Sequence, residues 1–117
     1  MHMNIKEFAR IVHANAIEKG FYETDMFGKV VLNADQKLML CVGELAEAHE
    51  ELRKGHSLTH VYFGEKQKPE GFGMELADTV IRIFDLAEAA GLDIEALILE
   101  KHAYNTGRSY RHGMKAF

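Results

Sequence analysis

The segment ADQKLMLCVGELAEAHEELRK, residues 34–54, decides the fold, because its apolar residues recur with the period of an α-helix. Asn33 suits the N-cap, Gln36 stands at the third helical position as in a capping box, and Gly55 suits the end. One face of this helix is apolar and carries Leu38, Cys41, Val42, Leu45, Ala48 and Leu52. The sequence therefore predicts a long amphipathic helix.

Three further segments have helical spacing, at about residues 5–19, 69–90 and 94–104. Pro69, the single proline, is a residue type favoured at the first helical position, and Asp93 suits an N-cap. Alternation typical of strands is scarce, and part of the loop 55–68, with Tyr62 at its centre, is expected to dock on the core. We predict one domain over residues 1–117, an all-α bundle of about four helices.

The composition of the chain excludes several classes of protein. Its 117 residues suffice for one domain, and a formal net charge of −4 gives no overall attraction for nucleic acid. No apolar run is long enough for a membrane span, and no signal peptide is recognisable, so a cytoplasmic location is expected. The single cysteine, Cys41, excludes an internal disulfide and a cysteine-based zinc site.

Two acidic stripes stand apart from the apolar faces of the second and third helices. The second helix carries Glu44, Glu47 and Glu51, and the third carries Glu75, Asp78, Arg82 and Asp85 opposite Leu76, Val80, Ile83, Phe84 and Ala87. Such stripes can be solvated surface, with Arg82 paired to Asp78 one turn away. However, no Lys or Arg lies between Glu44 and Glu51, although like charges at this spacing repel.

Four carboxylates from two neighbouring helices can form an all-oxygen cage for a hard cation. Glu44, Glu47, Glu75 and Asp78 are therefore candidate ligands of Mg²⁺, for which Mn²⁺ can substitute. Ions held there can polarise a phosphoryl oxygen and activate a water molecule. Glu47 is the preferred candidate for a general base, with Glu44 and Glu51 as alternatives.

The pairs Glu44-Leu-Ala-Glu47 and Glu75-Leu-Ala-Asp78, 27 residues apart, resemble the E-x-x-E…E-x-x-D signature of the all-α nucleoside triphosphate pyrophosphatases. The chain is most similar to the short MazG-like proteins of bacteria and phages. Residues 37–48 and 68–78 resemble the second and third helices of that family, and residues 101–113 resemble its K-x-x-x-N-x-x-R-x-Y-x-H-G ending. The similarity covers roughly residues 4–117.

The resemblance implies hydrolysis of an NTP or dNTP to the monophosphate and pyrophosphate, in nucleotide-pool housecleaning. It implies that the four carboxylates bind metal and that Glu47, Glu44 and Lys101 take part in catalysis. It also implies a substrate-binding group of Lys37, Lys101, Asn105, Arg108 and Tyr110. Arg108 suits a phosphate clamp, because guanidinium pairs bidentately with phosphate oxygens.

The family forms dimers or dimer-of-dimer tetramers, so a homo-oligomer is expected. A second helix of about 21 residues spans roughly 32 Å, long for so small a domain, and Met39 and Leu40 add apolar surface outside its main stripe. The chain lacks the tryptophans that some relatives use in the base pocket, and Arg82 stands where some carry tyrosine. Base and sugar preference, metal count and the choice between dimer and tetramer stay open.

Alternatives to this function also stay open. One is a related all-α phosphohydrolase, either dUTPase-like or phosphoribosyl-ATP pyrophosphohydrolase-like, and another is a non-catalytic helical interaction module. Among the remaining residues, His49 and Cys41 are expected in the interior, Cys41 as a small hydrophobe. The four-residue spacing of His56 and His60 is compatible with zinc, but these residues lie in a predicted loop.

Overall fold

The computed structural model describes residues 2–108, which form four helices and two short hairpins. The elements are α1 (Ile5–Glu18), β1 (Glu23–Thr24), β2 (Val30–Val31), α2 (Ala34–Arg53), β3 (Tyr62–Phe63), β4 (Pro69–Glu70), α3 (Phe72–Ala89) and α4 (Ile94–Thr106). The strands pair only as β1 with β2 and β3 with β4, both antiparallel. The predicted all-α architecture of four helices is confirmed.

Two of the predicted helix starts are confirmed by hydrogen bonds at their N-caps. The Asn33 side chain accepts a hydrogen bond from the backbone N–H of Gln36 at 3.1 Å, and Asp93 accepts one from Ala96 at 3.1 Å. Each cap satisfies a backbone donor that the first helical turn leaves without a partner. The starts of α2 and α4 therefore lie where the local sequence placed them.

The predicted start of the third helix at Pro69 is wrong. Pro69 lies in β4 opposite Phe63, and α3 begins three residues later, after Gly71. A proline has no N–H to donate, which a short edge strand tolerates. Gly71 has a φ of 135°, a conformation that residues with a Cβ rarely adopt. A Cβ at this position would collide with the carbonyl oxygen of His60. The 55–68 segment is thereby held beside the start of α3, with Tyr62 half-buried as expected.

The third helix is the central element, and it lies against both α1 and α2. The buried apolar residues are mostly small: Ala9, Ala16, Tyr22, Cys41, Ala48 and Ala87. Phe8 of α1 meets Phe84 of α3 edge to face, with ring centroids 6.0 Å apart. Small side chains at the contacts let the helix axes approach closely. The prediction of Cys41 as a buried small hydrophobe is confirmed.

The orientation of α2 differs from the expectation that its apolar stripe is the covered one. Its buried residues are Cys41, Glu44, Ala48 and Glu51, whereas Leu45 is 49% exposed. The face with the smaller side chains and two of the carboxyl groups contacts the rest of the chain, so the large apolar side chains point outward. His49, expected in the interior, is exposed for the same reason.

The apolar stripe of α3 divides in a similar way. Ala87 is buried and Phe84 is half-buried, but Val80 is 44% exposed. We call the exposed large side chains of the two predicted apolar stripes the outer apolar faces; they comprise Leu38, Val42, Leu45 and Leu52 of α2 and Leu76, Val80 and Ile83 of α3. No helix within residues 2–108 is both long and apolar enough to cross a bilayer.

Candidate metal centre

Three carboxyl groups meet at the contact between α2 and α3. Glu44 of α2 and Glu75 and Asp78 of α3 each offer one oxygen atom, and the three atoms lie within 4.8 Å of one another. Glu44 and Glu75 are buried, with exposed fractions of 9% and 5%, and Asp78 is half-buried. The i,i+3 spacing of Glu75 and Asp78 places both on the side of α3 that faces α2.

Glu47, the fourth predicted ligand, lies at the edge of this cluster. The residue is exposed, but its carboxyl group is near enough to lower the pKa of Glu44 and to raise that of Glu75. All four acidic residues of the two E-x-x-E/D motifs are thus neighbours, with three of them at the centre and Glu47 on the solvent side.

Burial and mutual repulsion separate the pKa values of these groups. Burial, together with the neighbouring carboxyl groups of Glu44 and Glu47, raises the pKa of Glu75 from 4.5 to about 8. Burial also opposes ionisation of Glu44, but the hydrogen bond from Arg82 and the neighbouring Glu75 carboxyl group outweigh it and lower the pKa of Glu44. Burial and the charge of Glu44 raise the pKa of Asp78. At neutral pH Glu75 therefore carries a proton in the metal-free protein, while Glu44 is ionised.

Two oxygens of the cluster find no donor. Glu44 Oε2 and Glu75 Oε2 are buried and have no hydrogen-bond partner among residues 2–108. A buried carboxyl oxygen without a donor is costly, and a proton or a cation relieves that cost. Since carboxylate oxygens are the ligands that Mg²⁺ and Mn²⁺ prefer, the donor set fits a hard divalent cation.

Arg82 is part of this centre and does not form the surface pair with Asp78 that its spacing allowed. Its Nε donates a hydrogen bond to Glu44 Oε1 across the interface, at 2.8 Å. The reason is geometric, because the side of α3 that carries Arg82 faces α2, so that its Nε reaches Glu44. The positive charge compensates Glu44, the carboxyl group whose pKa is lowered.

Two cavities adjoin the cluster. One, of about 260 Å³, is lined by Glu44, Asp78, Lys68, Phe21, Arg82 and five other residues. The other, of about 610 Å³, is lined by residues of α2 and of the segment before it, including Tyr22, Asn33, Gln36 and Lys37. Phe21 and Arg82 line both cavities, so the larger space lies beside the carboxyl groups.

The predicted substrate-binding residues fall into two groups. Lys37 lines the larger cavity, where its Nζ donates to the backbone oxygen of Phe21 at 2.5 Å and lies 4.0 Å from the centre of the Tyr22 ring. The other group is on α4 and just after it: Lys101, Asn105 and Arg108.

Within the described part of the chain, no hydrogen bond or ion pair joins that second group to the carboxyl cluster. Lys101 and Arg108 instead flank the exposed ring of Tyr104, at 4.9 and 5.6 Å from its centre. Tyr110 lies outside the described residues. The structure therefore places Lys37 on the larger cavity, which shares Phe21 and Arg82 with the cavity at the predicted metal ligands, and leaves the α4 residues apart from these ligands.

Sequence reasoning missed the bonding of Glu51, one turn after Glu47. Its buried carboxyl group accepts hydrogen bonds from the Tyr62 hydroxyl at 2.5 Å and from His56 Nδ1 at 2.6 Å. These bonds lower the pKa of Glu51, and the bond to Glu51, together with burial, raises the pKa of Tyr62 to about 12. No signal in the sequence links the three residues. His56 and His60 are not among the metal-ligating clusters of residues 2–108, where the group at Glu44 is the only one found.

A second missed residue is His13 of α1. Its Nδ1 lies 2.7 Å from Asp85 Oδ1, and its ring meets the buried Tyr22 ring edge to face. The sequence did contain a signal for the position of His13, because Ala9, His13 and Ala16 are spaced at i, i+4 and i+7. These three residues therefore share the covered face of α1. Asp85, the third acid of the α3 stripe, thus contacts α1 and is not one of the carboxyl groups of the metal centre.

Comparison of the chain with protein-family models, with curated proteins and with solved structures gives no match. The buried carboxyl cluster and the two cavities beside it are thus the features of the described residues on which a function can be proposed.

Proposed function

We propose that the protein is a Mg²⁺-dependent nucleoside triphosphate pyrophosphohydrolase of the MazG-like kind, which converts an NTP or dNTP to the monophosphate and pyrophosphate. The observation that carries the proposal is the meeting of Glu44, Glu75 and Asp78, from two E-x-x-E/D motifs, in one buried cluster with unpartnered oxygens. A cytoplasmic location and a role in nucleotide-pool housecleaning belong to the same proposal.

Glu44, Glu75 and Asp78 would hold the cation, with Glu47 completing the set from the solvent side. When bound, Mg²⁺ or Mn²⁺ supplies charge stabilisation for the phosphates and activation of the attacking water. Glu47 is the exposed member of the four, so it is the best placed to accept a proton from that water. No serine or cysteine nucleophile is required.

The cavity of about 610 Å³ is large enough for the nucleoside part of such a substrate. Its wall offers the amide groups of Asn33 and Gln36, the Tyr22 ring and the cation of Lys37. Hydrogen-bonding side chains beside an aromatic surface suit a nucleobase and sugar, while the carboxyl cluster lies on the phosphate side. This arrangement supports a nucleotide as the substrate class.

The proposal includes a homo-oligomer, either a dimer or a dimer of dimers. The outer apolar faces of α2 and α3 expose seven large side chains, a surface that a second copy of the chain can cover. Lys101, Asn105, Arg108 and Tyr110 retain their proposed role as substrate ligands, and residues of α4 could act across such a contact.

An assay with a panel of nucleotides tests the function. The protein is incubated with Mg²⁺ and each of the eight common NTPs and dNTPs, and the products are resolved as monophosphate, diphosphate, pyrophosphate and orthophosphate. We expect monophosphate and pyrophosphate, lost with EDTA and in Glu75→Gln, but retained in Glu50→Gln, a matched change at an exposed position of α2.

Other substrates would indicate other functions, so dUTP and phosphoribosyl-ATP are assayed beside the eight nucleotides. Turnover of dUTP alone would indicate a dUTPase-like enzyme, and cleavage of phosphoribosyl-ATP alone would indicate the corresponding pyrophosphohydrolase. No turnover of any of these by a folded, metal-loaded protein would contradict the proposal and favour a helical interaction module.

A further inference from the structure

The side chain of Arg82 has more donors than partners. A guanidinium carries five N–H groups, and only Nε has an acceptor among residues 2–108, namely Glu44 Oε1 at 2.8 Å. The side chain is 38% exposed and forms part of the wall of both cavities. Its terminal nitrogens therefore stand, without a protein partner, where the carboxyl cluster meets the larger cavity.

This position suits an anion as the missing partner. The carboxyl groups repel anions, and among residues 2–108 Arg82 is the cation that forms a hydrogen bond and an ion pair with one of them. The second cation on the larger cavity, Lys37, is engaged with a backbone oxygen and the Tyr22 ring. A phosphate oxygen between the cluster and the cavity would find free, charge-assisted donors at Arg82.

We propose that Arg82 has two successive roles in this site: it neutralises Glu44 in the metal-free protein, and it binds a phosphate oxygen of the substrate once a divalent cation takes over that neutralisation. This inference rests on the proposed function. It makes Arg82 a competitor of the cation when no substrate is present, and a ligand of the substrate when one is bound.

The two roles predict effects of opposite sign in Arg82→Gln. Removing the guanidinium removes a positive charge beside the metal ligands, so Mn²⁺ alone should bind several-fold more tightly. The same change removes charge-assisted hydrogen bonds to phosphate, so a triphosphate should bind about ten- to hundredfold more weakly. A residue with a purely structural role would weaken both.

The experiment uses isothermal titration calorimetry on the full chain. Mn²⁺ is titrated into the metal-free protein, and inorganic triphosphate, as its Ca²⁺ complex, is titrated into protein saturated with Ca²⁺. Arg53→Gln is the matched control, because Arg53 is exposed and, within the described part of the chain, pairs only with Glu50 on its own helix, at 3.4 Å. We expect the control to behave as the wild type in both titrations.

Two results for a folded Arg82→Gln variant would overturn the inference. One is weaker Mn²⁺ binding than in the wild type, and the other is a triphosphate affinity within twofold of the wild type. If that variant does not fold, Arg82→Lys decides, since lysine keeps the charge but lacks the planar fork. It should leave Mn²⁺ affinity unchanged and weaken triphosphate binding, and unchanged triphosphate binding would overturn the inference.

The failure of this inference differs from that of the proposed function. If the wild-type protein binds Mn²⁺ and triphosphate, and Arg82→Gln changes neither affinity, only the role of Arg82 is contradicted. Wild-type protein that binds no Mn²⁺ contradicts the metal-dependent function itself, and with it the role of Arg82.

Discussion

Glu44 and Glu75 face each other across the α2–α3 contact, both buried, and oppositely shifted in pKa. Glu44 is ionised and paired with Arg82, whereas Glu75 is protonated at neutral pH because burial and its acidic neighbours raise its pKa to about 8. A contact between two core helices that includes such a pair is less stable than an apolar contact of the same shape. We interpret the retained carboxyl groups as a functional feature.

A divalent cation should stabilise the folded protein. Binding at one hundred times the dissociation constant adds about 2.7 kcal/mol to the free energy of unfolding, because the unfolded chain lacks the site. Thermal unfolding with and without Mn²⁺ measures the effect. Asp78→Asn should remove most of it, whereas Asp35→Asn, an exposed position in the first turn of α2, should keep it. Equal stabilisation of both variants would place the metal elsewhere.

The stability of the metal-free protein should fall as the pH rises from about 5 to about 8. The folded pKa of Glu75 is about 8 against an ordinary value of 4.5, so between these values the folded state holds a proton that the unfolded state has lost. Raising the pH removes that proton at a cost to the folded state. The raised pKa of Asp78 acts in the same direction.

Acid should destabilise the protein through other groups. The pKa values of Glu44 and Asp93 are lowered in the folded state. Both groups therefore stabilise the folded state at a pH above their ordinary pKa values, and this contribution is lost as the pH falls. Urea unfolding in EDTA from pH 4 to pH 9 should therefore show a maximum in mild acid. Glu75→Gln should reduce the fall in stability on the alkaline side of this pH profile. An unchanged slope on that side would show that Glu75 is ionised in the folded protein.

Gly71 and Gly73, two residues apart, should respond to alanine in opposite ways. A Cβ at Gly71 would collide with the backbone oxygen of His60, and its φ of 135° disfavours any side chain, so Gly71→Ala should cost at least about 2 kcal/mol. Gly73 lies within α3 with open space around it, so Gly73→Ala should add about 0.5–1 kcal/mol. Urea unfolding measures both, and a neutral Gly71→Ala would mean that the 55–61 segment is not fixed against α3.

The outer apolar faces should mediate self-association. Size-exclusion chromatography with light scattering should give a multiple of the 13.3 kDa chain mass at micromolar concentration. Leu45→Asp, in the middle of the α2 face, should shift the protein toward the monomer, since a charge buried in an apolar contact lacks a partner. Leu58→Asp, at an exposed leucine in the loop after α2, is the control. A wild-type monomer would contradict the proposal of a homo-oligomer.

Local signals in the sequence were sufficient to predict where the helices lie. The Asn33 and Asp93 caps, the glycines after α1 and α2 and the helical period are properties of short segments, and the structure has the helices within a few residues of the predicted ends. The start of α3 was misplaced because Pro69 is compatible with both a helix start and an edge strand. Its pairing with Phe63 depends on a residue that is distant along the chain.

The sequence by itself determined that α2 and α3 each have an apolar and an acidic side, and that the acids recur at i,i+3. Only the tertiary structure decided which side is covered. Helical periodicity gives the angle between side chains on one helix but not the direction in which a neighbouring helix lies. The small residues Cys41, Ala48 and Thr79 share the covered side with the carboxyl groups. The structure therefore buries Glu44 and Glu75 together, with Arg82 beside them, and leaves the leucines outside.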